Sequence, residues 1–179
     1  GQGIIDPVEL TEHFLSEIEL SPIGRKIYST VTFKLALEQA KDSKKRADVG
    51  RRLSSLDGVP ISWKDLFDIS GYPCEAGSEL LAGRLAIKNA KVYNFAEAHG
   101  LICLGKTHMS ELAFSGLGLN PIRETPPCVN YPESVPGGSS SGAATSVSFG
   151  LAAAGIGSDT GGSVRIPAAW NDLVGFKTT

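Results

Sequence analysis

Two amphipathic segments open the chain. Asp6 can cap a helix that begins at Pro7, since proline suits the first helical position and a capping carboxylate precedes it. One face of this helix would carry Leu10, Phe14, Leu15 and Ile18. A second helix is predicted from about residue 33 to 49, where Leu35, Leu37 and Ala40 precede a strongly charged, solvent-facing stretch.

The pattern changes at Leu56 to short apolar runs separated by glycine and proline. Residues 59–63 and 101–104 read as strands, and residues 86–99 read as a helix closed by Gly100. A small-residue helix is predicted over 143–149 with Gly150 at its end. Because strands alternate with helices, the sequence predicts an α/β fold built around a sheet.

The chain is expected to form one domain, with residues 1–55 as a helical N-terminal segment and 56–179 as the core. There is no internal repeat and no flexible linker. The sequence opens without methionine and stops just after a strand-like apolar run at 173–176. We therefore expect a fragment of a larger enzyme, incomplete at its C-terminus, with uncovered sheet edges and apolar surface.

Composition favours small-molecule partners and a cytoplasmic protein. The net charge is −2, and no basic stretch exceeds Lys44-Lys45-Arg46, which argues against binding nucleic acid or an anionic membrane. No leader or membrane-spanning segment is recognised. The three cysteines, Cys74, Cys103 and Cys128, are odd in number and widely spaced, so neither a disulfide framework nor a zinc site is expected. No other metal site and no cofactor is expected.

The strongest chemical signal is a pair of loops rich in glycine and serine, at residues 137–142 and 159–167. Glycine allows positive φ and close backbone approach, so such loops can expose a serine hydroxyl and direct several N–H groups at one point. A nucleophile with an oxyanion hole needs this arrangement. Ordinary turns are the simpler interpretation of one such loop, but two are harder to dismiss. A phosphate cradle is disfavoured because no Lys-Ser or Lys-Thr follows the glycines.

A nucleophilic serine needs a base, and the histidines are poorly placed to supply it. His13 and His99 belong to predicted helices, and His108 has no acidic partner nearby in sequence. Lys64 is the better candidate because it directly follows an apolar run. Burial there would disfavour the charged ammonium and lower its pKa, which would let the amine accept a proton.

Three motifs together closely resemble the amidase-signature hydrolases. They are Gly-Val-Pro-x-x-x-Lys-Asp at 58–65, Gly-Gly-Ser-Ser at 137–140 and Asp-Thr-Gly-Gly-Ser-x-Arg-x-Pro at 159–167. Shorter matches lie at 77–78, 105–113 and 175–177, so the resemblance runs from about residue 56 to the end. It implies a mixed sheet packed between helices and no cofactor.

The resemblance also implies a catalytic triad. Ser163 would attack the substrate carbonyl, and Ser139, after a cis peptide bond from Gly138, would relay the proton to neutral Lys64. The site would form an acyl-enzyme from a small amide and release ammonia or an amine. Backbone N–H groups near the nucleophile would form the oxyanion hole, with a supporting serine beside them; these residues are Thr160, Gly161, Gly162 and Ser140.

Other residues of the motifs are interpreted as structural. Asp65, Asp159 and Arg165 are expected to form ion pairs or to brace loops, and Trp170 is expected to lie in the core.

Departures from the family pattern leave alternatives open. They occur at Ser141, at 168–172 and at 177–178, and they weaken the narrower interpretation as a glutamine-hydrolysing subunit of a transfer-RNA amidotransferase. A stand-alone amidase is favoured, either as a homo-oligomer or dependent on a further C-terminal part. A truncated, non-catalytic relative that binds amides or a partner chain is the alternative from another class, and a nucleotide-binding module is the third.

Overall fold

The computed structural model describes residues 5–179, which form helices and a four-stranded sheet. The helices are α1 (Pro7–Leu20), α2 (Gly24–Ile27), α3 (Phe33–Asp48), α4 (Lys91–Ala98), α5 (Ser141–Ser148) and α6 (Arg165–Trp170). The strands are β1 (Tyr28–Val31), β2 (Pro60–Lys64), β3 (Ile102–Thr107) and β4 (Ala154–Ile156).

The sheet is mixed, in the order β1-β3-β2-β4. Strand β2 runs parallel to both of its neighbours, and β1 is antiparallel to β3. Every residue of β2 and β3 is buried, as expected for central strands covered on both faces. The predicted α/β fold with a mixed sheet is confirmed, and the C-terminal end of β2 becomes the position from which the site is built.

Successive residues of β3 supply two apolar clusters on opposite faces of the sheet, because side chains alternate along a strand. Ile102 and Leu104 pack with α1 and α3, whereas Cys103 packs with Trp63 and Tyr93, whose rings lie 5.2 Å apart. The predicted helices α1 and α3 are confirmed, and Asp6 caps α1 by accepting the Val8 N–H at 2.7 Å. The short strands β1 and β4 were not predicted.

Two predicted elements differ from the structure. The helix expected over 86–99 begins only at Lys91, because Ala86 donates its backbone N–H to Tyr72 and Leu85 bridges Pro73. The apolar run at 173–176 was expected to be a strand, but it pairs with no strand among the described residues. Its Val174 side chain is fully open to solvent. In residues 5–179, no helix has the length and apolar character needed to cross a bilayer.

A buried ion pair ties α3 to the segment just before β2. The carboxylate of Asp57 has no exposed side-chain surface and accepts two hydrogen bonds from Arg46, at 2.7 and 2.9 Å. Burial alone would raise the pKa of Asp57, but the hydrogen bonds from Arg46 and from the Leu53 N–H outweigh it and lower that pKa to about 2. The folded chain is therefore more stable with Asp57 ionised than with Asp57 protonated, and this difference is lost as the pH falls from about 4 towards 2.

We expect Arg46→Met to lower the free energy of unfolding by about 3 kcal/mol, because it leaves the buried Asp57 carboxylate without its cation. Urea unfolding at neutral pH measures the loss. Lys45→Met is the matched control, since Lys45 pairs with Asp42 at the exposed surface and its removal should change stability little. Equal losses in the two variants would contradict this account of Asp57.

Candidate active site

Lys64 is the last residue of β2, and its side chain is completely buried. Its Nζ donates hydrogen bonds to Ser139 Oγ at 2.6 Å and to Ser158 Oγ at 2.8 Å. The two serines come from different loops, one before α5 and one after β4. The lysine thus joins both loops at one point beneath the protein surface.

Burial lowers the pKa of Lys64 to about 7, because a dry environment disfavours the charged ammonium. The charge of Asp159 acts in the opposite direction and limits the shift. A lysine with this pKa is part neutral at physiological pH, so its nitrogen can accept a proton.

The loop that carries Ser139 is held by the segment after β3. The peptide bond between Gly138 and Ser139 is cis. Gly138 donates its N–H to the Gly116 carbonyl at 2.8 Å, and the Ser139 carbonyl accepts the N–H of Ser110 at 3.2 Å. A Cβ atom on Gly138 would lie 2.6 Å from the backbone nitrogen of Gly118, so glycine is required by this close approach.

Ser163 lies directly beside this loop. Its backbone carbonyl accepts the N–H of Ser140 at 3.1 Å, and its residue is half-buried just before α6. Ser140 also donates its hydroxyl to the Ser158 carbonyl at 3.2 Å. The structure therefore brings the two glycine-serine loops together next to Lys64. No hydrogen bond joins a histidine ring to Ser139 or Ser163 in the described part of the chain.

Asp159 organises the loop that precedes Ser163. Its carboxylate accepts the N–H groups of Gly162 at 2.7 Å and Val164 at 3.1 Å, and it pairs with Arg165 through two hydrogen bonds. Hydrogen bonding from Arg165 is the main reason that the pKa of this carboxyl lies far below its ordinary value. The expectation that Asp159 and Arg165 form a structural ion pair is confirmed.

This arrangement bears on the expected oxyanion hole. The sequence predicts that the Gly162 N–H binds the oxyanion. In the structure this N–H instead donates to the Asp159 carboxylate at 2.7 Å. Within residues 5–179, the N–H groups of Thr160, Gly161 and Ser163 donate to no protein acceptor. These three groups are free to bind another acceptor.

Asp65 is the other expected brace, and this expectation is confirmed by its buried ion pair with Lys106, 2.7 Å long. Trp170 is expected to lie in the core, but 42% of its surface is exposed. The reason is that the neighbouring Asn171 occupies the buried position. Its amide donates to the carbonyls of Pro136 and Pro167, which anchors the end of α6.

Ser158 was missed in the sequence. It stands directly before the Asp-Thr-Gly-Gly-Ser motif, where serine is easily taken for an ordinary turn residue. Only the meeting of its loop with the end of β2 shows that its hydroxyl accepts from Lys64.

We expect Ser158→Ala to slow reaction of the site with a serine-directed reagent about tenfold, because Lys64 loses one of the two hydroxyl groups that orient its Nζ. Ser158→Thr, which keeps a hydroxyl, should retain most of the rate. The comparison is made with a fluorophosphonate by intact mass, using Ser148→Ala on the far end of α5 as the control. An unchanged rate in Ser158→Ala would exclude this role.

Comparison with known proteins agrees with this geometry. The family model described as amidase matches residues 9–179. A glutamyl-tRNA(Gln) amidotransferase subunit of Anaeromyxobacter dehalogenans is 40% identical over the whole chain, which spans 37% of that protein. The corresponding mitochondrial protein of Anopheles gambiae is 38% identical over 98% of the chain, which again spans 37% of that protein.

Solved structures give the same result. The peptide amidase of Stenotrophomonas maltophilia superposes with a TM-score of 0.86 at 29% identity, covering 94% of this chain and 36% of that one. A bacterial aryl acylamidase of the amidase-signature enzymes superposes with a TM-score of 0.83 at 30% identity, covering 93% of this chain and 35% of that one. The chain thus spans little more than a third of the proteins it matches. On its sequence, its fold and its matches, this chain belongs to the amidase-signature family.

Proposed function

We propose that this chain carries the acyl-transfer centre of an amidase, with Ser163 as nucleophile and with Ser139 and Lys64 as its proton relay. The contact that carries the proposal is the 2.6 Å hydrogen bond between the buried Lys64 Nζ and Ser139 Oγ. A buried lysine with a pKa near 7 is suited to accept a proton. The backbone hydrogen bond between Ser140 and Ser163, which brings the second serine loop beside Ser139, supports a relay between the two serines.

In the proposed reaction, Ser163 Oγ attacks the amide carbonyl while its proton passes to Ser139 Oγ. The hydroxyl proton of Ser139 passes at the same time to neutral Lys64. The tetrahedral intermediate collapses, the C–N bond breaks, and the leaving nitrogen takes a proton back through the same relay. Water then attacks the acyl-enzyme by the same route, releasing the carboxylic acid and restoring Ser163.

The negative oxygen of the intermediate needs donors beside Ser163. We assign this role to the N–H groups of Thr160, Gly161 and Ser163, whose freedom from protein acceptors supports it, while Asp159 holds Gly162 and fixes the loop. Ser140 supports the arrangement by linking the loops of Ser139 and Ser158. A single oxyanion donor contributes on the order of 3 kcal/mol to lowering the barrier.

A glutamine-hydrolysing subunit of a transfer-RNA amidotransferase is the second candidate. The names of relatives that are 37 to 40% identical favour it. Both candidates use the same acyl-enzyme and differ in where the ammonia goes. The proposed substrate is a small carboxylic amide handled in the cytoplasm, without nucleic acid or membrane bound by this chain. Because the chain spans about a third of its relatives, we propose that further polypeptide, or a second copy, completes the substrate pocket.

Product release tests the function. The chain is incubated separately with glutamine, with simple primary amides and with an acylanilide, and ammonia or arylamine is measured. We expect release from at least one class, abolished in Ser163→Ala and retained in Ser148→Ala. Release from glutamine alone would select the amidotransferase candidate. Release that continues unchanged in Ser163→Ala would overturn the proposed nucleophile.

A further inference from the structure

A second buried lysine lies one strand away from Lys64. Lys106 on β3 has no exposed surface, and its Nζ donates to Asp65 Oδ1 at 2.7 Å and to the Pro73 carbonyl at 3.1 Å. Asp65 is itself 4% exposed. The proposed reaction uses neither residue. A buried ion pair of this kind contributes little net stability, since desolvation of the two charges offsets their attraction.

Hydrogen bonds to the backbone hold the Lys106–Asp65 pair beside Lys64. Asp65 directly follows Lys64 and donates its N–H to the Thr107 carbonyl at 3.0 Å, while its second carboxylate oxygen accepts the Glu75 N–H at 3.0 Å. In the sheet register, Lys64 lies opposite Thr107 and Trp63 lies opposite Lys106. The Asp65 backbone thus joins the end of β2 to β3, and the Asp65 side chain joins the same residue to Lys106 and to the segment at Glu75.

This end of β2 has no other ionic restraint among the described residues. The Lys64 carbonyl is occupied by the tight turn that follows, accepting the N–H groups of Leu66 and Phe67. A shift of the turn would move the Lys64 backbone and withdraw its side chain from Ser139 and Ser158, since both contacts are shorter than 3 Å and come from other loops.

We propose that Lys106, acting through Asp65, is a positioning residue that holds Lys64 in its buried place against Ser139. The proposal rests on the proposed function, because it assigns to the pair the alignment of that relay. It predicts that the pair matters more for the state of Lys64 than for the stability of the chain.

The test compares two neutralised pairs in the full chain. Lys106→Met with Asp65→Asn removes both charges beside Lys64, and Arg46→Met with Asp57→Asn removes both charges of the other pair. Two quantities are read: the rate of fluorophosphonate labelling per folded molecule, and the pKa of Lys64 from ¹⁵Nζ-lysine NMR. The Lys64 signal is assigned by its absence in Lys64→Met. Asp159, the charged group that acts on Lys64, is untouched in both double variants.

We expect the Lys106/Asp65 double variant to label at pH 7 at least about tenfold more slowly, with the pKa of Lys64 raised towards its ordinary value as Nζ meets water. The Arg46/Asp57 variant should leave both quantities unchanged. The single variant Lys106→Met should label still more slowly than the double variant. If the single variant does not fold, the double variant still tests the proposal. A folded Lys106/Asp65 variant with an unchanged rate and Lys64 pKa would overturn the proposal. If the unaltered chain is not labelled at all, the proposed function fails, while the NMR measurement still tests the positioning.

Discussion

Lys64→Met is expected to lower the rate of covalent labelling by between about a hundredfold and ten-thousandfold at neutral pH. Methionine fills a similar apolar slot, so the fold should persist, but it cannot accept the proton that Ser139 must release. Among the described residues, no histidine ring is hydrogen-bonded to either serine in a way that would let it act in place of Lys64. The second-order rate constant for fluorophosphonate, followed by intact mass, measures the loss.

Lys45→Met is the control for this variant. It removes a lysine of the same size from an exposed ion pair on α3 and should label at the unaltered rate. If Lys64→Met folds and labels as fast as this control, another group must activate the nucleophile, and the relay described above is wrong.

The labelling rate should depend steeply on pH because Lys64 acts only when it is neutral. Burial lowers its pKa to about 7, so the neutral fraction, and with it the rate, should fall about tenfold for each pH unit well below 7. Above pH 8 the rate should reach a plateau. Between pH 8 and pH 5 the expected change is therefore on the order of a hundredfold, which labelling stopped at fixed intervals resolves easily.

The pH range over which the labelling rate rises distinguishes a buried lysine from an ordinary one. A lysine with its ordinary pKa would give a rate that still rises between pH 8 and 10, whereas a buried, partly neutral lysine gives a rate that has levelled off there. Loss of the pH 7 transition in Lys64→Met would assign it to this residue. A wild-type profile that is flat from pH 5 to 8 would exclude Lys64 as the base.

Much of the fold could be predicted because its long elements are strongly patterned. The capping Asp6 and the apolar face of α1 located one helix, and the periodicity of α3 located another to within a residue. The short strands β1 and β4 have only four and three residues, too few for alternation to show. The start of α4 could not be predicted, because a tertiary contact between Ala86 and Tyr72 decides it.

The candidate site, too, could be predicted only in part. Lys64, Ser139 and Ser163 stand in motifs specific enough to be singled out, and their clustering remained a hypothesis until the loops were placed. Ser158 stands just outside the Asp-Thr-Gly-Gly-Ser motif, and Lys106 lies in one of the shorter family matches. Neither position indicates the contact that the side chain makes, since Ser158 is 94 residues from Lys64 and Lys106 is 41 residues from Asp65. The hydrogen bond from the Gly162 N–H to Asp159 likewise depends on the conformation of the loop, which the spacing of residues in the sequence does not reveal.

The most direct test of the central claim is intact-mass labelling of the chain with a fluorophosphonate, followed by peptide mapping of the modified residue. The account predicts one adduct per chain, located on Ser163, absent in Ser163→Ala and present in Ser148→Ala. An adduct on a different residue, or a folded chain that remains unlabelled at pH 8, would contradict it.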